Sequence, residues 1–459
     1  MREFKLIIES HSLCDPPPQF ANTGLSGTPK VVPVGGVLRQ YWSSQTNKYH
    51  CFINGDEWWR IITEIPPVVV NGVTFSIGSP VDSTAPDFAA KAIAPAVADR
   101  LGIAQDDATL LSTCTRFMSQ ILLNKDRVEK IEQDEADDGA GKRKGNQPSR
   151  LDQTEIDATI DLLSEHFDEM VAHLAAEDAK KAEKAKKAKK AKAAEPVEEE
   201  QAADPAEEDQ AAEPVDQPEW MKRFTAIKQG RTPNLSTCLI GRLNTSVQDQ
   251  TVQGCFQVAA SLGVTPYQSV SDLNTRVNTI RGSGEGSFMC HQQLASSTLY
   301  RYFNIDLTQF VVNVAKAAGT TPEEAAPQMV EAIIGVAKAF VIGCGAVPRG
   351  GISRTAHDVR PSLTTIVVRT SGHSNWSGAF RRPIVGDDPV AIAAARLDAR
   401  WNSEAMKLTE SRIGVVDTVT LALDDEVEAN LTKMRQGGVV VANEGELLGR
   451  VAEAIRGSV

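Results

Sequence analysis

The feature that most constrains this chain is a tract in its middle that no core can accept. From Lys180 to Lys192 the sequence repeats Lys and Ala, and from Glu195 to Asp216 it turns to Glu, Ala, Pro and Asp. So little apolar surface cannot offset the entropy of ordering the tract. The lysine run reads as a solvated helical extension or as a nucleic-acid contact, and the acidic run as a flexible linker. The folded body must therefore be built from the flanking sequence. The tract also localises the charge. A net charge of −12 argues against a polyanionic partner, yet residues 130–216 hold 13 Lys and Arg against 25 Asp and Glu, and the rest of the chain carries 35 of each sign.

With 459 residues and 41% hydrophobic side chains, the chain is long enough for two or three domains. No run of about eighteen apolar residues is present, and Met1–Ser10 lacks the flank of a secretory signal, so a cytoplasmic protein without a membrane partner is expected. Seven cysteines (Cys14, Cys51, Cys114, Cys238, Cys255, Cys290, Cys344) stand singly. They fit reduced, buried thiols better than a disulfide frame or a zinc site.

Periodicity predicts a strand over Phe4–Ser10, with Phe4, Leu6 and Ile8 facing one way and Glu3, Lys5 and Glu9 the other. Pro16–Pro18 turns the chain into a loop-rich stretch, Asn22–Lys48. Helices are predicted within Phe88–Arg127, over Leu151 to about Ala194, over Val252–Leu262, over Pro322–Phe340 and over Glu444–Ile455. The segment Gln133–Ser149 reads as a disordered connection. A strand is predicted at Ser362–Arg369, and Leu408–Leu421 is ambiguous. Strands separated by helices, with few aromatics, give an α/β (α+β) class.

The loop-rich stretch carries the first chemistry. Lys30, Arg39 and Lys48 offer charged donors to phosphate, Asn22, Ser43, Ser44 and Gln45 neutral polar groups, and Gly35–Gly36 a close backbone approach. Taken alone, the stretch reads equally as a solvated glycine turn with stray basic residues. Two further motifs accompany it: L-I-G-R-L-N at Leu239–Asn244 with V-Q-G-C-F-Q-V-A after it, and S-S-T-L-Y-R-Y-F-N-I-D-L at Ser296–Leu307. Ala346-Val347-Pro348 with the strand Ser362–Arg369 is a weaker fourth.

In order and spacing these motifs resemble the CasC family, the backbone subunits of type I (I-E-like) CRISPR Cascade complexes within the RAMP superfamily. The resemblance covers the start to about residue 60 and about 225 to 390. It implies an RRM-like (ferredoxin-like) palm from residues 1–60 and 221–459, helical fingers over 61–220 containing the insert at about 130–216, and a thumb hairpin within 263–295. It implies a non-catalytic, oligomerising crRNA-binding protein in antiviral defence, with no cofactor. Its partners would be crRNA, target DNA through the guide duplex, other copies of itself, other Cascade subunits and, indirectly, an effector nuclease. Arg242 would then lie near the guide backbone and Leu243 wedge against a displaced base, Leu243 reading otherwise as core. Phe288 and Met289 would insert from the thumb, or else pack within the hairpin. Arg301 would contact RNA from the strand face opposite Tyr300 and Tyr302. The first loop departs from the family in having Val37, Leu38 and Tyr41 where basic residues are common, with Tyr41 and Trp42 as stacking surfaces.

Catalysis has thin support. A type III-like, metal-dependent RNA-cleaving subunit would use an acidic residue close to the first motif; Asp15 is the only nearby candidate, but it precedes three prolines and reads as a turn residue. His291 and His357 have no nucleophile or metal-ligand partner at diagnostic spacing, and no G-x-x-x-x-G-K-[ST] loop occurs.

Overall fold

The computed structural model describes residues 4–24, 27–53, 55–78, 80–83, 85–122, 149–192, 218–228, 234–242, 251–277, 286–347, 360–408 and 414–459. Its strands in chain order are β1 (Ile7–Cys14), β2 (Val31–Val34), β3 (Val37–Trp42), β4 (Val68–Val70), β5 (Val73–Phe75), β6 (Pro80–Ser83), β7 (Ser149–Asp152), β8 (Phe256–Val258), β9 (Ser261–Gly263), β10 (Ser269–Val277), β11 (Gly286–Ala295), β12 (Leu299–Asp306), β13 (Leu363–Arg369) and β14 (Val415–Ala422). The chain divides into two units, one of residues 1–77, 238–240 and 254–459, the other of 78–237 and 241–253.

The first unit is built on a mixed α/β plan around one antiparallel sheet, ordered β14-β13-β1-β12-β9-β3-β2, with β8 also paired to β12. In β1 every residue except Ile7 is buried, and in β12 every residue except Asp306. Helices or loops cover both faces. On one, Leu13, Tyr300, Tyr302, Leu363 and Val367 pack against Trp376, Phe380 and the helix Pro389–Lys407. On the other, Phe52 stacks between Phe256 and Phe340, with centroids at 4.8 and 5.7 Å. The helix Val330–Gly343 buries Ile333, Ile334, Val336, Phe340 and Val341, each contributing roughly 1.5–3 kcal/mol. At Gly335 a Cβ would lie 2.8 Å from Ile65 Cγ1, so a methyl there would force the chains apart. Pro322–Gly343 is apolar and long enough to cross a membrane by composition, and here it is core.

Both sheet edges are blunted. β2 carries Pro33, paired with Leu38, and Thr420 of β14 exchanges hydrogen bonds with Val439 and Val441, at 2.7 and 2.9 Å. Among the described residues the hairpin β10–β11 forms a two-stranded sheet, bridged at Ala295 to Gln19, and Val270 and Leu273 are exposed on it.

The second unit is helical. Ala94–Leu101, Ala108–Leu122, Gln153–Lys192 and Glu219–Lys228 surround a core that includes Val97, Leu110, Phe117, Ile156, Ile160, Leu163, Met170, Leu174, Trp220 and Phe224. The periodic face over Leu151–Ala194 thus finds its partner, although the helix breaks at His166 (φ −124°, ψ 23°).

Four local expectations are corrected. The first strand lies further along the chain than Phe4–Ser10, so Glu9 is buried at its centre rather than solvent-facing. Val252–Leu262 is no helix: Phe256–Val258 and Ser261–Gly263 are strands, because pairing with β12 and β3 completes the sheet and outweighs local propensity. Asn22–Lys48 is mostly regular, a hairpin whose two-residue turn has Gly35 at φ +66° and Gly36 at φ +84°, followed by the short helix Ser44–Lys48. Pro322–Phe340 is split into Pro322–Ala325 and Val330–Gly343 around Pro327, which has no N–H to give. The disordered connection predicted over 133–149 lies outside the described residues but for residue 149, and the acidic run of the insert lies wholly outside them.

Candidate functional site

The first-motif residues converge, but several of their polar atoms face inward. Asn22, in the left-handed region at φ +56°, donates through Nδ2 to the Tyr41 carbonyl at 3.2 Å. Its Oδ1 accepts from Ser43 Oγ at 3.4 Å and Thr46 Oγ1 at 3.0 Å. Ser43 Oγ also accepts from the Thr46 N–H at 3.3 Å, capping the short helix. Asn22 and Ser43 are therefore the clasp that holds the loop to the hairpin. Ser44, Gln45, Lys30 and Lys48 remain partly or fully exposed, as do both turn glycines. Gly36 has open space around it, whereas a Cβ on Gly35 would strike the Arg381 carbonyl.

The three arginines singled out in the sequence are all interior. Arg39 is 0% exposed and donates to the carbonyls of Gly263 and Arg381 at 3.3 and 3.4 Å. Burial, and then the nearby charge of Arg396, lower its pKa. Arg301 is 1% exposed. Its Nη2 donates to the Ala346 carbonyl at 2.8 Å and to Cys51 Sγ at 3.0 Å, and its guanidinium lies 4.8 Å from the centre of the Phe303 ring. Arg242 bonds both oxygens of the buried Glu155 at 2.9 Å within the second unit. None of the three presents a guanidinium at the surface, which corrects the reading of them as direct phosphate donors: each is satisfied by, or tied to, groups of the interior. Tyr41 is half-buried and Trp42 buried, so Trp42 is no surface platform.

Leu243 and His357 lie outside the described residues. Phe288 and Met289 belong to β11, opposite Arg276 and Thr275, and their side chains lie outside the description. His291 is exposed on the same strand. Asp15 accepts from Ser362 Oγ at 2.5 Å, and no three His, Cys, Asp or Glu among the described residues gather as metal ligands.

A buried polar centre escaped the sequence reading. Glu9 Oε1 accepts from Tyr302 Oη at 2.7 Å and from the Ser374 N–H at 2.8 Å, and its Oε2 accepts from Arg369 Nε. Arg369 Nη2 reaches Glu404 at 2.7 Å, and Glu404 also accepts from Ser374 Oγ and Trp376 Nε1, each at 2.7 Å. His11 stacks on Trp376 at 3.8 Å and shares a 2.9 Å hydrogen bond with Tyr300. Burial alone would raise the Glu9 pKa, but His11, Arg369 and Tyr302 more than reverse it, leaving about 2. Burial pushes the His11 imidazole below its usual range, against the pull of Glu9. The available signal was Glu9 and His11 two apart in one strand, hence on one face, with Ser10 and Ser12 on the other. This centre lies beneath the helix Pro389–Lys407 and ties β1, β12 and β13 to it.

Fold and site define a mixed α/β protein on a central antiparallel sheet, with a helical unit inserted and a glycine-turned hairpin bearing cations at one sheet edge. The chain belongs to the CT1975-like protein family, whose model matches residues 8–438. No curated protein matches it. Among solved structures it is similar to a chain of a "CRISPR RNA-guided surveillance complex, pre-nicking", with TM-score 0.61 and 19% identity over 98% of this chain and 100% of that one. It is also similar to a chain of a "CRISPR RNA-guided surveillance complex", with TM-score 0.53 and 17% identity over 98% and 99%. At these identities the likeness is one of fold.

Proposed function

We propose that this chain is a crRNA-binding backbone subunit of a type I CRISPR Cascade complex, of the CasC kind, that polymerises along the guide and presents it for pairing with target DNA. The observation that carries the reading is end-to-end: two solved chains similar to it in fold over 98% of its length come from RNA-guided surveillance complexes. The sheet supports it, since β13, β1, β12 and β8 with the intervening helices follow the strand order of a ferredoxin-like, RRM-like palm. The helical unit then serves as fingers and β10–β11 as the thumb. Because helices and loops cover both faces of the palm sheet, the guide runs along its loops. Lys30, Ser44, Gln45, Lys48 and the Gly35–Gly36 turn hold its backbone without reading bases. Target recognition is left to base pairing, and the subunit acts in the cytoplasm without cutting.

The test is co-expression with a guide and the neighbouring subunits, followed by ribonuclease digestion of the purified assembly. Protected RNA is expected, and a monomer free of RNA refutes the proposal. In the same preparation, Lys30→Ala with Lys48→Ala lowers the salt slope of RNA binding by about 1.4, at about 0.7 per phosphate contact on a single strand. Metal-dependent cleavage of target RNA that Asp15→Ala abolishes would show a type III-like enzyme instead.

A further inference from the structure

Arg39 lies beneath a group of cations that the first motif does not include. Its Nη2 bonds the Arg381 carbonyl, its Nε has no hydrogen-bond partner, and Arg381 and Arg382 stand exposed in the loop above. Arg396, half-buried on the helix Pro389–Lys407, donates to the Arg382 carbonyl at 2.7 Å. Gly35 closes the group, because only a residue without a Cβ lets the β2–β3 turn approach the Arg381 carbonyl so nearly. The guanidinium groups of Arg39 and Arg396 thus hold the backbone carbonyls of Arg381 and Arg382, whose own side chains are exposed.

Among the described residues, none of the four is ion-paired with Asp or Glu. The acids nearest in sequence are Asp387, which is exposed, and Asp388, which caps the helix by accepting from the Ala391 N–H at 3.0 Å. Grouped like charges repel, and elsewhere in this chain arginines meet carboxylates: Arg242 with Glu155, Arg369 with Glu9 and Glu404. Here no carboxylate among the described residues answers the charge, and the exposed side chains of Arg381 and Arg382 are open to an external anion. The planar fork of arginine fits phosphate oxygens in pairs, and an open glycine turn lets a backbone approach closely.

We infer that Arg381, Arg382 and Arg396, backed by the buried Arg39, form a phosphate-backbone site for single-stranded RNA beside the β2–β3 turn. The site rests on the RNA-binding reading above and extends it to a loop and helix that the sequence motifs left out.

The experiment uses the full chain and a labelled, mixed-sequence single-stranded RNA, titrated by fluorescence anisotropy across a salt series. Arg381→Ala with Arg382→Ala is expected to weaken binding at least about tenfold, the loss of two charge-assisted contacts. The slope of log K against log salt falls by about 1.4. Arg381→Lys with Arg382→Lys retains most of the slope. Both positions are exposed, so an unchanged melting temperature separates the effect from misfolding. Wild-type binding with an unchanged slope in the alanine variant overturns this site and leaves the RNA-binding reading standing; no binding by the wild type overturns both. Polyglutamate that binds as tightly as RNA, and is lost in the same variant, overturns the assignment to an RNA backbone in favour of an acidic protein partner.

Discussion

Replacing Arg369 with methionine isolates the charge on which the buried polar centre depends. Arg369 is the cation hydrogen-bonded to both Glu9 and Glu404, and all three side chains are at most 4% exposed. Without it, two carboxylates stay buried with no counter-charge, and breaking such a group from one side costs about 3–5 kcal/mol. The pKa of Glu9, lowered from 4.5 to about 2 by His11 first and then by Arg369 and Tyr302, shows that its charged form is favoured in the fold, and Arg369 supplies part of that. Because the folded pKa is the lower one, this contribution is full above pH 4.5 and is lost as pH falls towards 2. His11, lowered by burial, adds a loss that begins as pH falls through its ordinary value of 6.5. The gap between wild type and Arg369→Met should therefore be widest at neutral pH and narrow in acid, where the carboxylates take up protons. Urea denaturation followed by tryptophan fluorescence measures the gap, and hydrogen exchange on β1 peptides assigns it to the first unit. The triple variant Glu9→Gln, Arg369→Met, Glu404→Gln should recover part of the loss, since it buries no charge. A cost below about 1 kcal/mol, the scale of an exposed pair, or a gap that does not change between pH 7 and 4, would refute this account of the centre.

In the second unit, Arg242→Met strands the buried Glu155 and should lower stability by about 3–5 kcal/mol, read as a fall in melting temperature that Glu155→Gln in the same chain partly reverses. Gly36→Ala should cost about 1–2 kcal/mol for its left-handed backbone, and Gly35→Ala clearly more, because its methyl also meets the Arg381 carbonyl; equal losses in thermal melts would contradict that contact. Burial raises the Cys14 and Cys114 thiols to about 12 and holds Cys51, Cys255 and Cys344 above the usual range, so these thiols should resist a disulfide reagent at pH 8 until the chain is unfolded. Stoichiometric thiol release in the native state would show that the cores around them open.

Much of the architecture was legible because periodicity survives burial on one side. The long helix over Gln153–Lys192 and the closing helix Glu444–Arg456 each present one apolar face, and both emerge near their predicted limits. The strand β13 is read correctly because its apolar run is bounded by turn residues. The failures share a cause. β1 is buried on both faces, so alternation carries no information there, and its inward Glu9 looks like a solvent residue until Arg369 and Glu404 are brought to it from 360 and 395 positions further along the chain. β8 and β9 are three residues each and are fixed by pairing rather than by propensity. The candidate arginines were chosen for their charge and their place in the family-like motifs, and neither tells whether the partner is a phosphate or a buried carbonyl; Arg39 and Arg242 each found the latter or a carboxylate within the fold. Among the described residues the side chains of Arg381 and Arg382 have no such partner, but they stood outside the motifs that drew attention.

The blunted edges of the sheet limit the ways in which the proposed row of copies can form. In the two-residue hairpin, Pro33 falls at a non-hydrogen-bonded pair with Leu38, so its ring nitrogen faces outward and the free border lacks a donor there. The opposite border is already occupied by Val439–Val441. Strand-to-strand addition, the route by which sheets grow without limit into insoluble fibres, is therefore closed at both ends. In the proposed assembly, copies would then meet through side chains and the RNA they share, and the length of the row would be set by that RNA rather than by the protein.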